Sequence, residues 1–143
     1  MSFTSDLLEG VAQRLADNGA GVYLPTGAYG PGDVAIVFRV LPQDPDRAIA
    51  LSTYDFGHDL TQPDSLIGLQ LRIRGTTDPL SDGEIDDVCF DVLHGLWAVD
   101  LGGVIAVSAW RQSGASLGPD ESGRFVRTSN YHLQMHRPSP NRV

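Results

Sequence analysis

The chain contains no lysine: all ten of its basic residues are arginine, set against eighteen acids, for a formal charge of −8 over 143 residues. An acidic chain without a clustered positive face is a poor holder of nucleic acid by phosphate neutralisation. It is compatible with a passage along which DNA must slide without sticking. The missing lysine reads first as the mark of a GC-rich genome, and only second as a preference for bidentate guanidinium contacts. Cysteine is almost absent too. Cys89 stands alone, so neither an intrachain disulfide nor a cysteine-rich metal site can be built, and its place on an apolar stripe makes it a core thiol. No apolar run approaches the ~20 residues of a membrane span. The opening MSFTSDLLEG lacks the basic region and apolar core of a signal, so the chain is expected in the cytosol where it is made. Internal repeats, low-complexity blocks and linkers are lacking as well. One domain over residues 1–137 with a disordered tail at 138–143 is expected, and a domain of this size buries roughly 70% of its unfolded-chain surface.

The clearest positive signal is the stretch from residue 66 to residue 95. Ile67, Leu69, Leu71 and Ile73 alternate with Gly68, Gln70, Arg72 and Arg74, a period of two that predicts a strand with one buried face. A turn at residues 75–77 leads to a helix with two possible starts, Asp78-Pro79 or the Ser81/Glu84 capping-box spacing, and the sequence does not choose between them. Ile85, Val88, Cys89, Val92, Leu93 and Leu96 then recur at steps of three and four, giving a stripe for the sheet. Asp82, Asp86, Asp87 and Asp91 fill much of the rest, which reads as a solvated or partner-facing side, and Gly95 stops the helix.

Before this stretch, Thr4 or Ser5 can cap a first helix carrying Leu7, Leu8, Val11 and Leu15, ended by Asn18-Gly19. A Gly/Pro-rich loop follows, holding at most a brief strand at Val22-Tyr23-Leu24. Residues 34–41 form a continuous apolar run broken only by Arg39, expected as an interior strand, and residues 48–54 as its hairpin partner across a Pro/Asp turn. Residues 55–65 read as an exposed connection. After the second helix, residues 97–101 are expected as a short strand, 104–110 as another, 112–123 as a Gly/Ser-rich loop, and 125–135 as one long or bent strand. Strands dominate and separate the two helices, which predicts an α+β fold: a twisted, mostly antiparallel sheet with both helices packed on it.

Catalytic chemistry finds little support. Gly114-Ala115-Ser116-Leu117-Gly118 matches G-x-S-x-G, but a nucleophile elbow needs a helix directly after the serine, and Pro119 to Gly123 would not form one. His132 and His136 lie four apart in a strand, about 13 Å from each other, too far to share a metal. His94 suits a helix C-terminus. The aspartate row lacks the Gly-containing loop of an EF-hand, and the glycines of residues 19–32 lack the strand-to-helix setting of a phosphate cradle. No nucleophile, base and oxyanion donor assemble, so catalytic, cofactor and metal sites are all expected to be absent and a structural or interaction role is favoured.

Several stretches together resemble the tail terminator, or minor capsid (neck), proteins of long-tailed bacteriophages, in particular those infecting actinobacteria. They are TSDLLEGVAQRLA, PDRAIALSTY, IGLQLRIRG followed by DP, FDVLHGL, GGVIAVSAWRQSGASLG and GRFVRTSNYHLQM. The resemblance runs over nearly the whole chain and rests on the order and number of matches. It implies a small α+β virion subunit without enzyme activity or cofactor. Such a subunit forms a hexameric ring at the head-proximal end of the tail tube, stops tube polymerisation and presents the head-tail joining surface. Its partners would be further copies of itself, the major tail tube protein and the head connector, with DNA passing through the lumen and no membrane involved. Ring closure needs two different patches. The expected interface residues are Arg72 and Arg74 on the strand, Asp86, Asp87 and Asp91 on the helix, and Arg111, Ser116 and Arg124 in and beside the Gly/Ser-rich stretch. The nearest alternative is a head-completion or connector adaptor of the neck; a small enzyme or ligand-binding module would instead require a deep polar pocket.

Overall fold

The alternation in residues 66–74 becomes the third of six strands. In the computed structural model, which describes residues 2–58 and 63–141, the elements run α1 (Phe3–Asp17), β1 (Ala35–Phe38), β2 (Ala48–His58), β3 (Asp64–Arg74), α2 (Ser81–Leu93), β4 (Trp97–Leu101), β5 (Val104–Pro119) and β6 (Phe125–His136). The strands form one sheet in the order β1-β2-β3-β6-β5-β4, antiparallel except for β1 against β2. This is the expected α+β architecture, a twisted sheet carrying two helices. The core lies between them: Leu7, Val11 and Leu15 of α1 and Ile85, Cys89 and Leu93 of α2 meet Leu69, Leu71 and Ile73 of β3 and Tyr131, Leu133 and Met135 of β6. Because side chains alternate along β3, the other face of the sheet holds Gly68, Gln70, Arg72 and Arg74, and among the described residues no helix covers it.

The first helix is capped two or three residues earlier than Thr4 or Ser5 suggested. Ser2 is the N-cap: its hydroxyl accepts from the Ser5 amide at 3.1 Å, while the Ser5 hydroxyl accepts from the Ser2 amide at 3.0 Å. Ser5 therefore serves as the return half of a capping box rather than as the cap. Where α1 crosses β4, Gly10 is obligatory. A Cβ there would lie 2.3 Å from the Leu101 carbonyl carbon, so the helix and strand backbones touch directly.

Two expectations fail at the start of the sheet. Residues 34–41 give only the four residues of β1, at the sheet's edge rather than its interior, and β1 pairs with β2 in parallel, with Ala35 opposite Ala48, rather than as a hairpin. The chain turns back immediately after β1. Arg39 adopts φ +69°, its amide donates to the Leu51 carbonyl at 2.9 Å, and the Val40 amide donates to the Phe38 carbonyl at 2.8 Å. A parallel connection normally needs a crossover of about a dozen residues or more. This shorter one is held by Arg74, whose guanidinium donates to the carbonyls of Pro42 (2.6 Å), Pro45 (2.9 Å) and Asp46 (2.7 Å). The brief strand expected near residue 22 is a single parallel bridge from Val22 to Ala35.

Of the connection expected over residues 55–65, residues 55–58 belong to β2 and 64–65 to β3, while 59–62 lie outside the described residues. The Gly/Ser-rich stretch is not a loop either. β5 continues through it to Pro119, paired with β6 throughout, with register shifts at Ala106/Ser108, Arg111/Ser113 and Ser116/Gly118 that absorb its irregular composition. The turn is confined to residues 120–124, where the Asp120 carboxylate accepts from the amides of Ser122 and Arg124, both at 2.9 Å. The strand expected at residues 125–135 is β6. Of the tail foreseen at 138–143, the last two residues lie outside the described residues.

Candidate subunit interface

The acidic row of α2 divides into two classes. Asp82 and Asp86 are buried, 4% and 0% exposed, whereas Asp87 and Asp91 are exposed. The burial of the first two contradicts a wholly solvated helix side, and its cause lies in the strands that α2 covers. Arg127 of β6 donates to Asp86 at 3.0 Å and to Asp82 at 3.3 Å; Arg111 of β5 donates to Asp86 at 3.1 Å; and the Ser129 hydroxyl donates to the other Asp86 oxygen. Arg111 and Arg127 each keep about a quarter of their side chains in water. The carboxylate is thus fully partnered inside the subunit, and Asp86 and Arg111 are one another's partners. The helix begins at Ser81, the later of the two starts, but without a capping box. Ser81 is the first helical residue, and its hydroxyl turns back to accept from the Thr76 amide at 2.8 Å and to donate to the Asp78 carbonyl at 2.6 Å. Val88, expected on the buried stripe, is 39% exposed.

On the helix-free face of the sheet, Arg72 is exposed and has neither a hydrogen bond nor an ion pair among the described residues, while Arg74 is 4% exposed and occupied by the three carbonyls. The two arginines, alike in sequence, therefore differ in availability. Arg124 is also largely engaged within the chain, donating to Asp120 at 3.0 Å and to the Gln43 carbonyl at 2.8 Å, with Asp46 at 3.4 Å. Ser116 is exposed on β5. Of the eight expected interface residues, Arg72, Asp87, Asp91 and Ser116 are exposed. Arg74 and Asp86 are inside the subunit, and Arg111 and Arg124 are half-buried in pairs.

Further along the same face the structure assembles an aromatic group that strand-by-strand reading missed. Tyr54 lies opposite Gly68, Gly68 opposite His132, and His132 opposite Trp110, so one row crosses four strands. The Tyr54 ring lies over Gly68, where a Cβ would meet it at 2.1 Å. His132, 8% exposed, has Phe56 at 4.4 Å and Trp110 at 5.7 Å between ring centroids. The register shows this row; the sequence signal was only that four scattered residues sit on polar-face positions.

The structure forms no catalytic arrangement at the positions weighed. Ser116 lies in a strand followed by a turn, so the G-x-S-x-G letters carry no elbow. His58 joins Ser65 at 2.8 Å and Asp55 at 3.5 Å, the residue types of a hydrolase triad, but Ser65 is 2% exposed and its hydroxyl cannot meet a substrate carbonyl. His94, the C-cap of α2, accepts the Arg111 amide on Nδ1 at 3.0 Å and stacks on Phe90. Burial pushes the Cys89 thiol up to about 12, in keeping with a core residue. Among the described residues no three His, Cys, Asp or Glu side chains gather as a metal site. A groove of about 500 Å3 beside α1 is lined by Glu9, Gln13, Arg14, Asp17, Tyr23 and Asp100.

Comparison with known proteins agrees with the architecture. A chain in the solved virion of a native gene transfer agent (GTA) particle superposes with a TM-score of 0.68, covering 94% of this chain and 98% of that one at 12% identity, which shows a shared fold. No curated protein sequence matches. The family model described as bacteriophage tail terminator protein matches residues 14–137, and this chain accordingly belongs to the bacteriophage tail terminator family.

Proposed function

We propose that this structural virion protein works as a ring that caps the head-proximal end of the tail tube, halts tube polymerisation and offers the surface to which the head connector joins. Family membership supplies the class. The observation that carries the mechanism is the two-layer build: one side of the sheet is covered by helices and the other is bare, so the subunit presents two unlike faces. Unlike faces meet head to tail, and repetition of such a contact closes into a ring when the rotation allows. The net charge of −8 suits a lumen through which DNA slides. In this reading the chain makes no bonds and needs no cofactor. Its partners are copies of itself, the tube protein and the connector, and it sits at the head-tail junction after assembly in the host cytoplasm.

The test is removal of the protein from an assembling phage. Overlong tails detached from heads are the expected result. Tails of normal length with leaking heads would instead identify a head-completion adaptor and refute termination.

A further inference from the structure

The bare face of the sheet has a second property besides its lack of a helix. Arg72 stands at the rim of a depression of about 220 Å3 lined in part by Leu41 and Leu117, and Leu117 is 50% exposed. Arg72 has no partner in its own chain among the described residues, while its neighbour Arg74 is consumed by the return after β1. Arg74 and Asp120 line it too, but each is engaged within the chain, so the site is an unpaired guanidinium beside a shallow, mixed hollow. It fits an element that presents an apolar side chain flanked by carboxylate.

The helix layer presents such an element. Leu80, just before α2, is 70% exposed and Val88 is 39% exposed. Between them the helix shows Glu84, whose carboxylate has neither hydrogen bond nor ion pair among the described residues, beside a groove of about 380 Å3 that Asp78 also lines. Asp87 and Asp91 likewise have no ion pair among the described residues, since Arg111 and Arg127 face the buried Asp82 and Asp86, and Arg47, which lines the Glu84 groove, donates to the Gly32 carbonyl. α2 has three exposed carboxylates along one flank, and Arg72 on the bare face has no partner among the described residues. The subunit therefore carries two patches of opposite charge and matched apolar character on opposite layers.

We infer that the bare-face hollow around Arg72, Leu41 and Leu117 docks the Leu80–Glu84–Val88 flank of α2 from a second copy of this chain. This rests on the ring reading above and names the surfaces that would make the ring. The contact is heterologous, since neither patch is complementary to itself, and opposite charge fixes its register. Carboxylates facing Arg72 across the boundary also make the contact sensitive to ionic strength.

The experiment is sedimentation velocity on the full chain from micromolar to ~1 mM, with Arg72→Glu and Glu84→Arg as variants. Both positions are exposed, so circular dichroism should show unchanged folding. Wild type is expected to self-associate, more weakly in high salt, and each variant to associate at least about tenfold more weakly. An equimolar mixture of the two variants decides the geometry. Every contact between unlike variants pairs opposite charges, once in the wild-type sense and once reversed, so the mixture should associate more tightly than either variant alone and recover toward wild type. A wild type that stays monomeric throughout, variants that associate like wild type, or a mixture that stays monomeric would each overturn the inference. Complementation of a phage lacking this protein separates the inference from the reading beneath it. If wild type and Arg72→Glu both restore normal tails, the docking surface is refuted and termination stands; if wild type leaves tail length unchanged, termination is refuted.

Discussion

Replacing Asp86 with alanine probes the polar centre between α2 and the sheet. The carboxylate is 0% exposed and takes hydrogen bonds from Arg111, Arg127 and Ser129. Breaking a buried ion pair by removing one partner costs about 3–5 kcal/mol, because the remaining charge is left desolvated. Here the two guanidiniums keep 27% and 28% of their side chains in water and can partly rehydrate, which places the cost near the lower end, about 3 kcal/mol. The Ser129 hydroxyl has no such escape, being fully buried. At about 3 °C per kcal/mol for a chain of this length, the melting temperature should fall by about 9 °C. Asp82→Ala, which loses a 3.3 Å contact to Arg127, should cost only about 1 kcal/mol. In urea denaturation, the double variant Asp86→Ala/Arg127→Ala should be less destabilised than the sum of the singles by at least about 1 kcal/mol. If Asp86→Ala changed stability by less than about 0.5 kcal/mol, or the two variants were additive, the network would not be what joins α2 to β5 and β6.

Arg74→Ala should destabilise by about 2–4 kcal/mol in the same assay, since it leaves the carbonyls of Pro42, Pro45 and Asp46 without their donor, and Arg74→Lys should recover only part because a point charge cannot span three acceptors. Gly10→Ala should cost at least about 2 kcal/mol, as its Cβ would strike the Leu101 backbone, which cannot swing aside; a thermal shift like that of an ordinary surface substitution would contradict the direct helix-strand contact. Cys89 should resist alkylation at pH 8 in the native protein and react once urea unfolds it. Burial raises the folded thiol to about 12 from an ordinary 9.0, so the stability it lends is complete below about pH 9 and is lost as pH rises toward 12; Tyr131, raised by the same cause, acts in the same direction. A flat stability profile across that range would refute the burial of these groups.

The amino-acid sequence was sufficient for the elements whose periodicity is long and regular. Strand β3 and the stripe Ile85, Cys89 and Leu93 of α2 follow from spacing, because alternation by two and by three or four leaves one face to bury whatever the partner is. The α+β class follows from the order of those elements. What spacing could not provide was pairing. β1 and β2 look like a hairpin because Pro and Asp lie between them, yet they run parallel, since a side chain from β3, distant in sequence, supplies the donors that the return requires. The Gly/Ser stretch of β5 has weak strand propensity and becomes a strand because β6 pairs with it along its length, with bulges absorbing the misfit.

The same division governs the candidate interface. Sequence marks arginines and aspartates but gives no count of what each is already bound to. Tertiary structure sorts them: Asp82 and Asp86 face Arg127 and Arg111 and are spent, Arg74 is spent on carbonyls, and Arg72, Glu84, Asp87 and Asp91 are left over. A charge is available to a partner only when its own fold has not neutralised it, and that is decided by which strands lie beneath which helix. Periodicity alone determined that this chain has a sheet with one buried face; the three-dimensional arrangement decided which of its charges remain free to meet another molecule.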